Sequence, residues 1–267
     1  MSNKGKIVWI TGASSGIGRA LALRMAQAGY RVAASARRAD ELDKLKNEAT
    51  QQGGEIVPVP LDTTKPEEVR AGVDRIEREM GPISIAALCA GTYEPVLAHE
   101  LTAEKARPVF ELNFMGSVNC LENLIPRMIR RGEGRIAAVA SLAGYFGLPT
   151  SAIYGGSKAA LINMAEALQP DLAKHGVKMQ IVNPGFVKTP LTDKNEFGMP
   201  FLMEVEDAAE AFYRGLHSDR FEITFPRRFS LILRLLQMLP YRTALALTGA
   251  TVPKEKHPAF APKLSRS

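Results

Sequence analysis

The chain has 267 residues, of which 46% are hydrophobic and 23% charged, a composition typical of a folded globular protein. This length fits one large α/β domain, or at most two small ones. The formal net charge of +6 comes from 34 basic and 28 acidic residues spread along the chain, which argues against a nucleic-acid-binding protein.

Strand-like and helix-like segments alternate along the first 225 residues. Short apolar runs rich in β-branched residues predict strands at 6–11, 31–36, 55–61, 83–89, 135–140, 177–182 and 220–225. Amphipathic periodicity predicts helices at 17–28, 40–52, 66–80, 104–130, 152–174 and 206–217. This alternation predicts one doubly wound α/β domain over residues 1–225, with a parallel sheet covered by helices on both faces.

The turn between the first strand and the first helix has the sequence Thr11-Gly-Ala-Ser-Ser-Gly-Ile-Gly18. Its glycines allow a sharp turn and let backbone N–H groups approach a pyrophosphate, and the helix that follows presents its positive end to that anion. The strand-turn-helix context favours a dinucleotide site over a glycine-rich turn without a ligand. The residues predicted to form this site are Gly12, Ser14, Ser15, Gly16, Ile17 and Gly18.

The end of the second strand indicates which dinucleotide is bound. Sites for NAD usually carry an acidic residue there that holds the ribose 2′-hydroxyl. Here the sequence is Ala34-Ser-Ala-Arg37-Arg38, and no carboxylate occurs before Asp40. Two guanidinium groups are well shaped to pair with a 2′-phosphate, so we predict NADP(H) as the cofactor; the alternative is a solvated basic turn.

Three residues further along the chain suggest proton-transfer chemistry. Tyr154 and Lys158 lie four residues apart in a predicted helix and so share a face. The ammonium group, helped by a positively charged nicotinamide, would lower the pKa of the phenol and suit it to act as an acid/base. Ser141 follows the strand at 135–140, where its hydroxyl could hold the substrate oxygen. Considered without each other, these features have simpler explanations: the Tyr–Lys pair could be structural, and Ser141 could be a turn or capping residue.

Together with Asn183-Pro184-Gly185, these motifs have the order and spacing of the short-chain dehydrogenase/reductase family, which the chain resembles from residue 5 to about 225. The resemblance implies a seven-stranded Rossmann sheet and a catalytic tetrad of Asn113, Ser141, Tyr154 and Lys158. In that family the lysine also bonds the nicotinamide ribose, and the asparagine supports a water-linked proton relay. The resemblance also implies that Asp62, with Thr63 beside it, contacts the adenine and that the small residues Ala90 and Gly91 give the cofactor room. The residues implied near the nicotinamide carboxamide are Pro184, Gly185, Val187 and Thr189.

The chain departs from this family at the end of the fourth strand. The family usually has an Asn-Asn-Ala-Gly-like run there, whereas this chain has Leu88-Cys89-Ala90-Gly91. The small pair that gives the cofactor room is kept, but the polar residues that tie the central sheet together are not. Cys89 and Cys120 have no C-x-x-C spacing and the four histidines form no ligand cluster, so we expect free thiols and no metal site.

Two apolar segments follow the nicotinamide-binding motif. Residues 186–203 correspond to the family's mobile lid, and their apolar side chains either line a hydrophobic substrate pocket or pack on the core. The lid residues concerned are Phe186, Leu191, Phe197, Met199, Phe201, Leu202 and Met203. Residues 226–267 form a C-terminal extension, predicted as an apolar helix at 229–239 and an unstructured end at 253–267.

The helix at 229–239 has one narrow polar stripe, made of Ser230, Arg234 and Gln237, so it is expected to bury most of its circumference. Its apolar run is too short to span a bilayer. Three interpretations remain: it covers the substrate pocket, packs in a subunit interface, or lies on a membrane surface, in which case residues 226–250 would make a peripheral contact.

The sequence therefore predicts an NADP(H)-dependent oxidoreductase that reduces a carbonyl, or oxidises the matching alcohol, of an apolar or lipid-like substrate. The alternatives are a non-catalytic NADP(H)-sensing protein of the same fold and a peripheral membrane or scaffold protein. The N-terminal residues lack the apolar run of a signal peptide, so a cytoplasmic location with membrane association left open is expected. Related folds commonly form dimers or tetramers, so we also expect a homo-oligomer.

Overall fold

A computed structural model describes residues 5–194 and 198–252. Seven strands form one parallel sheet: β1 (Ile7–Thr11), β2 (Arg31–Ser35), β3 (Glu55–Pro58), β4 (Ile83–Leu88), β5 (Gly134–Val139), β6 (Val177–Pro184) and β7 (Glu222–Phe225). Their order across the sheet is β3-β2-β1-β4-β5-β6-β7. The strand order reverses between β1 and β4, which is the place where open α/β sheets bind ligands.

The α-helices within these residues are α1 (Gly16–Gln27), α2 (Ala39–Gln51), α3 (Pro66–Glu79), α4 (Ala103–Phe110), α5 (Gly116–Arg131), α6 (Ala152–Lys174), α7 (Val205–Leu216), α8 (Arg227–Met238) and α9 (Tyr241–Gly249). They cover both faces of the sheet. Because side chains alternate along a strand, Val8 and Ile10 of β1 belong to one core cluster with α1, α2 and α7, and Ile7 and Trp9 to another with α3, α5 and α6. The predicted doubly wound α/β fold with seven parallel strands is confirmed.

Two predicted elements differ from the structure. The strand predicted at 55–61 ends at Pro58, although Val59 and Leu61 still donate backbone hydrogen bonds to β2 and the turn after it. The single helix predicted at 104–130 is divided into α4 and α5 by a π-helical turn at Glu111–Met115. Such a turn inserts one extra residue into the helical repeat, and here it contains the fully buried Asn113.

The C-terminal helix α8 does not bury most of its circumference, so that expectation is wrong. Its apolar residues Leu231, Leu235 and Met238 are 59%, 54% and 80% exposed, while Phe229 and Leu233 pack against Leu142. The cause is that the polar stripe of the helix faces the protein. The second helix of the extension, α9, was not predicted, and the unstructured end predicted at 253–267 lies outside the described residues.

None of the helices within 5–194 and 198–252 combines the length and the apolar character that crossing a bilayer requires.

Candidate active site

One cavity of about 1060 Å³ runs along the carboxyl ends of the strands. At one end it is lined by the turn between β1 and α1, and at the other by the helices α8 and α9. Ser141, Tyr154 and Lys158 lie along its wall, as do all the residues predicted to contact the cofactor. Asn113 is the one predicted site residue that does not line it.

The glycine-rich turn requires glycine at position 12 for two reasons. Gly12 has φ of +65°, and a Cβ there would lie 2.8 Å from both the Cα and the N of Ala90. The turn therefore passes directly against the end of β4, where the Ala90 N–H donates to the hydroxyl of Thr11 at 3.2 Å. Helix α1 begins at Gly16, so its unpaired N–H groups lie at the cavity wall and could hold a pyrophosphate.

The end of β2 presents cations and no carboxylate to the cavity. Ser35 is fully buried, and its hydroxyl accepts a hydrogen bond from the indole of Trp9 at 2.9 Å. Arg37 and Arg38 both line the cavity, and the Arg38 guanidinium donates to the hydroxyl of Ser14 at 3.0 Å. The Arg38 guanidinium thus lies beside the glycine-rich turn, and Arg37 lies close enough to Asp62 to lower its pKa.

Asp62 and Thr63 line the same end of the cavity. Burial alone would raise the pKa of Asp62, but hydrogen bonds from the N–H and hydroxyl of Thr64, with the charge of Arg37, hold that pKa below its usual value. The buried hydroxyl of Thr63 has no hydrogen-bond partner among the described residues. It lies against the start of α5, where a Cβ on Gly116 would be 2.8 Å from it.

The residues present therefore fit a dinucleotide, with a turn that leaves room for the pyrophosphate and two arginines at the end of β2.

A short 3₁₀ turn, Leu142–Gly144, brings Ser141 to the phenol of Tyr154. The Ser141 hydroxyl accepts from the N–H of Ala143 at 3.1 Å and forms a hydrogen bond with the Tyr154 phenol. Helix α6 can approach the turn because position 155 is glycine; a Cβ there would lie 2.8 Å from the carbonyl oxygen of Ala143. The close packing of the turn on α6 fixes the two hydroxyl groups side by side.

Lys158 lies one helical turn after Tyr154, and its ammonium is 5.6 Å from the centroid of the tyrosine ring. It donates a hydrogen bond to the carbonyl of Val139 at 2.8 Å, at the end of β5. Burial lowers the pKa of Lys158 to about 8. Burial also raises the pKa of Tyr154 to about 12, against the smaller lowering effect of the Ser141 hydrogen bond.

The lowered phenol pKa expected from the sequence is therefore not a property of the chain alone. The ammonium points to a backbone carbonyl and is itself poorly solvated, so it does not offset the desolvation of the phenol. At neutral pH, Tyr154 in this structure is a protonated phenol.

Asn113 connects the segment after β4 to α6. Its side-chain oxygen accepts from the N–H of Thr92 at 2.7 Å, and its amide donates to the Thr92 carbonyl and to the hydroxyl of Ser157, both at 3.0 Å. A Cβ on Gly91 would lie 3.2 Å from this oxygen and 3.4 Å from the ammonium of Lys158. Asn113 thus positions the wall of the cavity, behind the residues that face it.

Two contacts near the site were not predicted from the sequence. The ring of Tyr93 meets that of Tyr154 edge-on, with centroids 5.1 Å apart and an interplanar angle of 78°. Tyr93 comes shortly after the Ala90-Gly91 pair, and this position at a strand end was the available signal. Phe229 of α8 stacks on Phe186 of the lid with centroids 5.5 Å apart, a contact between distant segments that no local pattern could indicate.

The lid residues serve both of the roles considered for them. Phe186 and Leu191 line the cavity, whereas Met203 packs on the core and pairs with Val187 as an isolated bridge. Phe201 and Leu202 are each 44% exposed. Phe197 lies outside the described residues.

Cys89 lines the cavity next to Ala90, and burial raises the pKa of its thiol to about 12, although the nearby Lys158 lowers it slightly. The thiol is therefore protonated at neutral pH.

Comparison with known proteins identifies the family of the chain. The model of the short chain dehydrogenase family matches residues 6–198. The chain is 38% identical over 231 residues to an uncharacterized oxidoreductase of Myxococcus xanthus, covering 86% of this chain and 91% of that protein. It is 33% identical to a 3-oxoacyl-(acyl-carrier-protein) reductase of Thermotoga maritima (73% and 79% covered) and 34% identical to 11-beta-hydroxysteroid dehydrogenase-like 3 of Arabidopsis thaliana (79% and 70% covered).

Solved structures give the same result. A short-chain dehydrogenase/reductase from Burkholderia phymatum, in complex with NAD, superposes with a TM-score of 0.81 at 25% identity, covering 88% of this chain and 94% of that one. A single-residue variant of the actinorhodin polyketide ketoreductase with NADPH superposes with a TM-score of 0.76 at 25% identity, covering 84% and 97%. The chain belongs to the short-chain dehydrogenase/reductase family of oxidoreductases.

Proposed function

We propose that this chain is an NADP(H)-dependent oxidoreductase that reduces the carbonyl group of a neutral, apolar substrate, or oxidises the matching alcohol, with Tyr154 as its acid/base. The observation that carries this proposal is the hydrogen bond between Ser141 and Tyr154, on the wall of the cavity that also contains the glycine-rich turn. When bound, the nicotinamide would supply or accept the hydride.

Each residue near the reacting carbonyl has a separate task. The phenol of Tyr154 donates a proton to the carbonyl oxygen, and the hydroxyl of Ser141 holds that oxygen in place. The ammonium of Lys158 is fixed by the carbonyl of Val139, from where it can bond a ribose hydroxyl and stabilise negative charge on the phenol. Asn113 holds the segment at 91–92 through the backbone of Thr92.

The preference for NADP(H) rests on the end of β2. Arg37 and Arg38 line the cavity, and the strand ends in Ser35, whose hydroxyl already accepts from Trp9. A 2′-phosphate would meet two guanidinium groups there, whereas a free 2′-hydroxyl would find no carboxylate in the segment from Ser35 to Arg38.

The apolar substrate is supported by the distribution of charge in the cavity. Among the described lining residues, those that carry a charge at neutral pH are Arg37, Arg38, Asp62 and Lys158, all on the cofactor side. The other end is lined by Leu142, Leu148, Phe186, Phe229, Leu233 and Leu236, among other apolar residues. A charged substrate would lose its hydration there without gaining a partner, so a neutral, bulky carbonyl compound fits better.

The proposal is tested by following NADPH absorbance with a panel of ketones: short-chain, long-chain, steroidal and carboxylated. Turnover of the long-chain or steroidal ketones, with little turnover of carboxylated ones of equal size, is the expected result. Equal rates with NADH and NADPH would refute the cofactor preference, and no turnover of any carbonyl would refute the activity.

A further inference from the structure

Helix α8 is attached to the domain by its polar side. The Ser230 hydroxyl forms a hydrogen bond with the Tyr145 phenol, and Gln237 donates one to the Tyr145 carbonyl. Arg234 forms an ion pair with Glu222. Glu222 also accepts from the Tyr145 phenol. These contacts fix the rotation of α8 and turn its opposite side away from the domain.

That opposite side is apolar and exposed. Leu231, Ile232, Leu235 and Met238 are between 50% and 80% exposed, and at 3.6 residues per turn they share an arc of about 140° with Arg227 and Arg228. In α9, Leu245 and Leu247 are 56% and 55% exposed. We call these six apolar side chains, Leu231, Ile232, Leu235, Met238, Leu245 and Leu247, the apolar outer face. Exposed apolar groupings of this kind mark interaction sites.

The apolar outer face forms part of the mouth of the substrate cavity. Ile232, Leu235, Met238 and Leu247 belong to it and also line the cavity, although each is at least half exposed. The same side chains thus contact the cavity on one side and the surroundings on the other. Whatever covers this face lies at the cavity mouth.

The charge of the chain identifies the kind of partner. Residues 226–267 contain eight Lys and Arg and one Glu, whereas residues 1–225 contain 26 Lys and Arg and 27 Asp and Glu. The whole positive excess therefore lies in the C-terminal extension. Within the described part of the chain, Arg227, Arg228 and Arg242 are exposed and form no ion pair. Cations beside an apolar helical face complement an anionic lipid surface.

We infer that the apolar outer face docks on the surface of an anionic lipid bilayer, so that the mouth of the cavity opens toward the lipid. This inference rests on the proposed function and specifies the substrate class. The substrate is a carbonyl compound dissolved in the membrane, and it enters between α8 and α9 without passing through water. The Arg227 and Arg228 guanidinium groups contact lipid phosphates, while Leu231 and Met238 enter the boundary between headgroups and acyl chains.

Vesicle sedimentation with the full-length protein tests this inference. The protein is mixed, without cofactor, with vesicles of phosphatidylcholine alone or with about 30% phosphatidylglycerol. We expect binding to the anionic vesicles that high salt reverses. Each cation near such a surface contributes about fivefold, so Arg227→Glu/Arg228→Glu should weaken binding by at least about 25-fold. Leu231→Ser/Leu245→Ser should weaken it about tenfold.

A matched control distinguishes an effect of the apolar outer face and its arginines from an effect of the net charge of the protein. Lys46→Glu/Arg70→Glu makes the same charge change at two exposed residues in α2 and α3, and it should leave vesicle binding unchanged. Equal loss in this control, or no sedimentation with either vesicle, would overturn the inference. The inference would also be overturned if the protein does not bind vesicles and instead forms a dimer, measured by sedimentation velocity, that Leu231→Ser/Leu245→Ser dissociates.

The binding measurement needs no turnover, so the two proposals fail separately. A protein that binds anionic vesicles but reduces no carbonyl refutes the proposed function and keeps the docking surface. A protein that reduces apolar ketones but stays in the supernatant refutes the docking surface alone.

Discussion

The ammonium of Lys158 lies 5.6 Å from the ring centroid of Tyr154 and donates its hydrogen bond to the carbonyl of Val139. Both groups are desolvated, which lowers the pKa of the lysine to about 8 and raises that of the tyrosine to about 12. At neutral pH the phenol therefore carries its proton. In the proposed reduction, this is the form that would donate a proton to the carbonyl oxygen.

The buried ammonium makes folding stability depend on pH in a specific direction. The pKa of Lys158 is lower in the folded protein (about 8) than in the unfolded chain (10.5), so between these values the unfolded state binds more protons and stability rises with pH. The free energy of unfolding of the wild type, minus that of Lys158→Met, should therefore increase by roughly 3 kcal/mol from pH 7 to pH 10.5. Urea denaturation at several pH values measures it. A difference that does not change with pH would contradict a desolvated lysine.

The two arginines after β2 should discriminate between the cofactors. Each charge-assisted hydrogen bond to a 2′-phosphate contributes about 1.5–3 kcal/mol, so Arg37→Ala/Arg38→Ala should weaken NADPH binding at least tenfold and leave NADH binding nearly unchanged. Fluorescence titration of both cofactors measures the effect, with Arg70→Ala as a control for loss of an exposed arginine. Equal weakening for NADPH and NADH would mean that the arginines do not hold the 2′-phosphate.

Two glycines with similar backbone angles should respond differently to alanine. Gly12 and Gly53 have φ of +65° and +75°, but a Cβ on Gly12 would lie 2.8 Å from the backbone of Ala90, whereas one on Gly53 would meet nothing within 4 Å. Gly53→Ala should cost about 1 kcal/mol of stability, from its backbone angle alone. Gly12→Ala should cost clearly more and also abolish dinucleotide binding. Similar losses in thermal unfolding would show that the turn is not packed against β4 as described.

The thiol of Cys89 should react slowly even though it lines the cavity. Its pKa of about 12, against an ordinary value of 9.0, leaves roughly a thousandfold less thiolate at pH 7. Alkylation by iodoacetamide, located by peptide mass spectrometry, should therefore be at least about a hundredfold slower than for free cysteine. Rapid labelling would mean that this part of the cavity is open to water.

The sequence predicted the parts of the fold and site that depend on local patterns. The strand and helix periodicities, the glycine-rich turn and the spacing from Ser141 to Tyr154 are all local, and the structure brings these residues to one cavity. The π-helical turn around Asn113 was missed because it changes only the hydrogen-bond register of a helix whose apolar periodicity continues on either side.

The orientation of α8 could not be predicted because Tyr145, which holds two residues of its polar stripe, is far away in the sequence. Arg234 meets Glu222 of β7, and Gln237 meets Tyr145, 92 residues earlier. Local amphipathicity indicates which residues share a face, but it does not say which face turns inward. The side of α8 that faces the domain is determined by its hydrogen bonds and ion pair with Glu222 of β7 and with Tyr145, which follows β5.

The most direct test of the account is Tyr154→Phe, which removes the phenolic hydroxyl and keeps the ring that packs on Tyr93. The rate of NADPH oxidation with an apolar ketone should fall by about 10²- to 10⁴-fold, while NADPH binding, measured by fluorescence titration, stays within about twofold. A Tyr154→Phe protein with wild-type turnover would contradict the central claim that this phenol supplies the proton.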